Sequence, residues 1–256
     1  MYPGPMGPRS SHAIRLAIFS DVHGNALAFD AVIQDMRDQE IAASVCLGDA
    51  IQGGPQPSEV VARLRELDCP IVMGNADAWL LTGVETGAER VAEAQREIRA
   101  WSAGRLSQDE RDFIEGFVPT VEVPLPGSRT LLAFHGSPRS FDEFIFPHTP
   151  QEEVSAMFEG HRAGFFAGGH THLQQIRHLG HRTFLNPGSV GLAYRHDQGG
   201  EAFRADPWAE YAILTADEDR WHVEFRRIPF DVDALRRIYR ESGRPHLDLA
   251  LSLYRD

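Results

Sequence analysis

The segment Arg15-Leu16-Ala17-Ile18-Phe19-Ser20-Asp21-Val22-His23-Gly24-Asn25 carries a strand, a turn and a helix start in one short stretch. Arg15–Phe19 is an apolar run of strand length. Behind the polar turn, Phe29, Val32, Ile33 and Met36 recur at helical spacing, with Asn25 in an N-cap position. A strand that passes through a turn into an amphipathic helix is the first half of a βαβ unit. It also leaves Asp21 and His23 at the carboxyl end of the strand, where open α/β sheets gather their ligands.

The pattern repeats twice downstream. Ser44–Leu47 reads as a second strand and runs into Gly48-Asp49; a helix over Glu59–Leu67 follows, with Pro57 at its start. Ile71–Met73 reads as a short third strand and runs into Gly74-Asn75. Next come a helical stripe, Val91, Ala94, Ile98 and Trp101, and a second helix opened by the capping box Ser107-x-x-Glu110. Residues 77–118 therefore read as a helical insertion over one edge of the sheet.

Strand patterns resume at Thr120–Val123 and Thr130–Phe134, and Thr149, Pro150 and Glu152 suit the N-cap, first turn and capping box of another helix. Short strands follow at Phe165–Ala167, Gln174–Arg177, Thr183–Leu185, Tyr211–Thr215 and His222–Arg227. Two helices close the chain from Asp231 onward. The expectation is an α/β domain over residues 14–256, in which two facing sheets carry helices outside. Residues 1–13, rich in Pro, Gly and Ser, read as a flexible tail.

A chain of 256 residues fills one core. Its formal charge of −12 argues against an extended nucleic-acid surface, which needs a basic face. No run approaches the roughly 18 apolar residues of a membrane span. The apolar run Leu16–Phe19 is too short for a signal peptide. Cys46 and Cys69 lack metal-like spacing and read as buried, reduced thiols. The expected location is the cytoplasm; oligomeric state is not legible.

Two more strand ends bear histidines beside glycines: His135-Gly136 and Gly168-Gly169-His170-Thr171-His172. Taken in order, Asp21-Val22-His23, Gly48-Asp49, Gly74-Asn75, His135-Gly136 and Gly169-His170-Thr171-His172 resemble the calcineurin-like metallophosphoesterase superfamily. Asn186-Pro187-Gly188-Ser189-Val190-Gly191 extends the likeness to its small bacterial phosphodiesterase branch. The resemblance implies a four-layer α/β/β/α sandwich of two facing mixed sheets. It also implies two divalent metal ions, one held by Asp21, His23 and His172, the other by Asn75, His135 and His170, with Asp49 between them. Asp49, Asn75 and His135 are then the catalytic residues, and a hydroxide bridging the metals attacks the phosphorus of a small phosphoester. Imidazole with carboxylate suits Mn, Fe, Zn, Ni or Co and does not suit calcium; manganese is the expected ion. Two such ions also give an acidic protein the local positive charge that a phosphate ester requires.

One position departs from the family. Many members carry a proton-donating histidine directly after Gly-Asn, where this chain has Ala76 followed by Asp77. A positioned acid contributes about 10²–10⁴ in rate, so its loss penalises esters with poor leaving groups and points to phosphodiesters. A protein phosphatase or a dinucleoside-polyphosphate hydrolase on the same centre is the alternative within enzymes. A metal-binding scaffold, like the retromer subunit of this superfamily, is the alternative outside them. Asn25 reads both as a phosphate contact and as a helix cap. Arg195 reads both as a phosphate clamp and as a surface arginine. Asp77 reads as a charge at a helix start or as a group orienting Asn75.

Overall fold

Alternation along the strands decides how the layers stack. In β1 (Ile14–Phe19), Ala17 and Phe19 face one side while Leu16 and Ile18 face the other, and all four are buried. β8 (Trp208–Ala216) repeats this, with Tyr211 and Ile213 on one face and Ala212 and Leu214 on the opposite one. Strands buried on both faces must lie inside a layered molecule.

The computed structural model describes residues 13–85, 91–198 and 203–254. Thus all but the last residue of the expected tail, and residues 86–90 of the expected insertion, lie outside the described residues. One sheet has the order β2-β1-β8-β9, with β2 at Ala43–Cys46 and β9 at Trp221–Pro229. The other has the order β3-β4-β5-β7-β6, comprising Val121–Leu125, Arg129–Ala133, Phe165–Ala167, Arg182–Asn186 and Gln175–Leu179 respectively. Both are mixed: β1 pairs parallel with β2 and antiparallel with β8, while β5 is parallel to both β4 and β7.

A core of Leu16, Ile18, Val45, Leu131, Ala133, Phe165, Ala167, Leu185 and Leu214 draws on both sheets, so they face each other. Behind the first sheet, Phe19, Cys46, Tyr211 and Ile213 pack on α1 (Ala26–Asp38) and α2 (Pro57–Leu67). Behind the second, Phe134, Phe166 and Phe184 pack on Val154, Met157 and Phe158 of α6 (Gln151–Met157) and the residue after it. The four-layer arrangement is the expected one. α7 (Val232–Ser242) and α8 (Leu247–Ser252) form their own small core around Leu235, Tyr239 and Ala250. Among the described residues, no helix is long and apolar enough to cross a membrane.

Two local expectations need correction. Ile71 and Val72 do not form a full strand; they make single parallel bridges to Cys46 and Val118, because the chain turns into α3 (Asn75–Thr82) immediately afterwards. Thr149 does not cap α6. Pro150 holds the N-cap position, and the Thr149 hydroxyl accepts the Phe146 N–H at 2.9 Å, closing the preceding turn instead. Between α3 and β3, α4 (Glu93–Arg105) and α5 (Gln108–Glu115) pack on α2 and α3, and the returning Val118 pairs with Ile71 and Met73 at the edge of the first sheet.

Candidate metal centre

Parallel strands from both sheets end along one edge. β1 delivers Asp21 and His23, β2 delivers Asp49, and Asn75 opens α3. From the second sheet, β4 delivers His135 and β5 delivers His170 and His172. The side chains converge as two groups, Asp21 with His23 and His172, and Asp49 with His135 and His170; within each, one donor atom per residue lies within 4.8 Å of the others. Asn75 joins the second group, its Oδ1 2.9 Å from His135 Nε2. The Asp49 carboxylate lies between the groups, with Oδ2 3.4 Å from His135 Nε2 and 4.0 Å from His23 Nε2. Its Oδ1 accepts the Ala76 N–H at 2.8 Å.

Hydrogen bonds to the backbone fix how the rings present themselves. His23 Nδ1 donates to the Gln52 carbonyl at 2.9 Å, His172 Nδ1 to Leu192 at 2.8 Å and His135 Nδ1 to Leu47 at 2.8 Å. Each ring therefore turns its Nε2 inward, where its electron pair is available to a cation once the ring is neutral. His23 Nε2 and His172 Nε2 are only 3.0 Å apart, a close approach that a shared proton or a bound cation relieves. Asp21 Oδ1 is buried with His172 Nε2 3.2 Å away, and His170 Nε2 is buried without a hydrogen-bond partner. A buried polar atom left without a partner is costly, and this one shares its space with Asp49 and His135. The donor set fits two divalent cations.

The electrostatics carry the same message. Burial opposes charge on Asp21 and Asp49, yet His172 and His135 respectively hold both carboxyls below the usual range. Burial also opposes the His135 proton, but Asp49 outweighs it and raises the imidazole to about 9. His170 goes the other way, pushed down to about 4 by burial and by His135. Each cluster thus keeps ionised oxygen and draws positive charge towards itself.

The model of the calcineurin-like phosphoesterase superfamily domain matches residues 14–218. The chain belongs to that superfamily. The uncharacterized protein MJ0912 of Methanocaldococcus jannaschii is 24% identical over 230 residues, covering 85% of this chain and 88% of its own. A metallophosphoesterase structure from Sphaerobacter thermophilus aligns with TM-score 0.69 and 23% identity over 94% of this chain and 97% of its own. Protein PH1004 of Pyrococcus horikoshii aligns with TM-score 0.75 and 16% identity over 94% of this chain and 98% of its own. These two structures support the fold.

In this member of the superfamily, five of the seven ligand-type residues sit on strained backbone. Asp21, His23, Asp49, His170 and His172 all adopt positive φ, between 48° and 67°. For side chains other than glycine this costs about 1–3 kcal/mol each, and such strain gathers at functional sites. The neighbouring glycines serve close approach: a Cβ on Gly74 would strike Asp49 Oδ1, and one on Gly169 would strike Ser20 Oγ.

Other residues hold the loops in place. Asn186 donates to the Gly169 carbonyl at 2.6 Å and to Thr171 Oγ1 at 3.1 Å. The Ser189 hydroxyl donates to the Asp21 carbonyl at 2.8 Å. Asp77, fully buried, accepts the N–H groups of Ala50 at 3.1 Å and Ile51 at 3.1 Å, anchoring the loop after Asp49; burial and the Asp49 charge push its carboxyl up to about 7. Sequence reasoning placed Asp77 at the helix start but missed this anchoring, since the loop it holds lies far away in the chain. Asn25 is buried, with its Oδ1 accepting the Ala28 N–H and its Nδ2 donating to the Gly191 carbonyl, so both ends of its amide are engaged within the protein. Arg195 is exposed and paired with Asp197 at 2.6 Å, beside the cavity that His172 lines.

Proposed function

We propose that the protein is a phosphodiesterase acting on a small phosphodiester with two divalent ions, manganese first among them. Asp21, His23 and His172 would hold one ion, Asn75, His135 and His170 the other, with Asp49 shared. The observation that carries this reading is the convergence of donor atoms within each group, above all His23 Nε2 against His172 Nε2 at 3.0 Å with Asp21 Oδ1 3.2 Å from the latter. Bound divalent ions supply an activated water and offset the charge that builds on phosphate oxygens. The chain's own part is geometric: Gln52, Leu192 and Leu47 carbonyls set the tautomers, the Ala76 N–H orients Asp49, and Asp77 anchors its loop.

The residue at the acid position supports the diester preference. Ala76 is almost wholly buried at the start of α3 and brings no proton to a leaving oxygen. Free thiols at Cys46 and Cys69 suit a reducing cytoplasm.

The test is reconstitution of chelator-treated protein with one metal at a time, followed by metal analysis and side-by-side turnover of bis-p-nitrophenyl phosphate and p-nitrophenyl phosphate. Two ions bound per chain with faster diester turnover is the expected result. Two bound ions with no diester turnover would overturn the proposal in favour of a scaffold.

A further inference from the structure

An unbroken circuit of rings runs along one side of the candidate metal centre. His170 stacks on Phe144 with centroids 4.2 Å apart, and Phe144 lies parallel to Phe146 at 5.6 Å. Phe146 continues to His148 at 5.3 Å and meets His196 edge-on at 6.1 Å. His196 stacks on Tyr194 at 4.5 Å, and Tyr194 reaches His172 at 5.7 Å. The circuit leaves one ligand group at His170 and returns to the other at His172.

Phe144, Phe146 and Tyr194 are only half-buried, and His148 and His196 are exposed. Flat apolar surface left open beside a polar centre marks a binding face. Its backbone is already fastened. The Phe146 N–H donates to Thr149 Oγ1 at 2.9 Å, its carbonyl accepts from Arg177 at 3.1 Å, and the Ile145 carbonyl accepts from Gln175 at 2.6 Å. Rings held in place before a ligand arrives lose little entropy when it binds. Arg195, next in the chain to two of these residues, is occupied by Asp197, so the rim offers a flat uncharged group more than it offers a second anion.

We propose that this rim, Phe144, Phe146, His148, Tyr194 and His196, is a specificity subsite that stacks the nucleobase of a nucleotide phosphodiester. The assignment rests on the phosphodiesterase reading above and narrows its substrate class. Stacking against aromatic faces accepts any base, because every base has a π-face, and a glycerol diester gains nothing from it.

The test compares two ligands that differ only in the base, AMP and ribose 5-phosphate, by calorimetry on manganese-loaded protein, so it does not depend on turnover. Wild-type protein should bind AMP roughly five- to a hundredfold more tightly than ribose 5-phosphate. The double variant Phe146→Ala/His148→Ala should lose most of that preference while keeping its manganese content and its affinity for ribose 5-phosphate. Phe144 is left untouched because it supports His170. Equal affinity for the two ligands in wild type, no binding of either by metal-loaded protein, or a preference that survives in the double variant would each overturn the subsite. Absent diester turnover with an intact AMP preference would instead count against the phosphodiesterase reading and leave the base subsite standing.

Discussion

Two regions of this molecule are built on opposite terms. Behind the second sheet, Phe134, Phe158, Phe166 and Phe184 are all buried, with Phe158 and Phe166 stacked at 4.1 Å. At the carboxyl edge of the strands, buried oxygens and imidazoles face one another on left-handed backbone. The aromatic core gains from every atom removed from water. The edge carries strain and closely opposed buried polar atoms that a bound cation would relieve. Stability and chemistry are thus separated in space, and substitutions in the two regions should have different signatures.

The largest effect expected is at the edge. Asp49→Ala should lower bis-p-nitrophenyl phosphate turnover by about 10³-fold or more, since it removes the carboxylate that both groups share. Thermal unfolding without metal should also come earlier, because His135 loses the carboxylate that holds its proton and the Ala76 N–H loses its acceptor. A variant that instead fails to fold would break the separation.

Phe166→Ala should do the reverse. It should cost about 3–5 kcal/mol in a denaturant titration while leaving turnover per folded molecule intact at low temperature.

Chelation comes next. Ions present at about a hundredfold excess over Kd contribute roughly 2.7 kcal/mol each, so removal of both should lower Tm by about 10 °C or more. The stripped protein should also acquire a pH dependence that the loaded protein lacks. The His135 proton is held more tightly in the fold than in the unfolded chain, so its stabilisation is complete below pH 6.5 and is lost as pH rises through about 9. Ligated imidazole is neutral, so the loaded protein should show no such fall. Melting curves across that range, with and without metal, check both statements.

The smallest change sharpens the chemistry. Ala76→His should raise turnover of an alkyl monoester such as glycerol 2-phosphate by roughly tenfold or more with the metal content unchanged, and that of p-nitrophenyl phosphate, whose leaving group needs little acid, by less. An unchanged monoester rate would mean that the missing acid does not set the diester preference.

Much of the edge was legible in the sequence because each ligand-type residue follows an apolar run. Phe19 precedes Ser20-Asp21, Leu47 precedes Gly48-Asp49, and Phe134 precedes His135, so a strand end could be read directly from hydrophobicity. The layering followed from the same runs. What stayed hidden depends on contacts between distant loops. Nothing local to Asp77 tells that it accepts N–H groups at Ala50 and Ile51, and nothing near Ser189 names the Asp21 carbonyl. The rim was equally hidden, since Phe146 and His196 meet only after two separate loops return to one edge. Ile71–Met73 looked like a strand because it is apolar, yet only two single bridges form before α3 begins.

Each candidate ion site takes side chains from both halves of the sandwich: Asp21 and His23 from one sheet with His172 from the other, and Asp49 with His135 and His170. The ions would then act as rivets through two plates that, among the described residues, are joined at that edge by side-chain contact and loop hydrogen bonds. The gap between the rivets is set by how the plates seat, so a change of packing volume deep in the interlayer, at Leu16 or Ala167, would be felt as altered intermetal spacing at a distance.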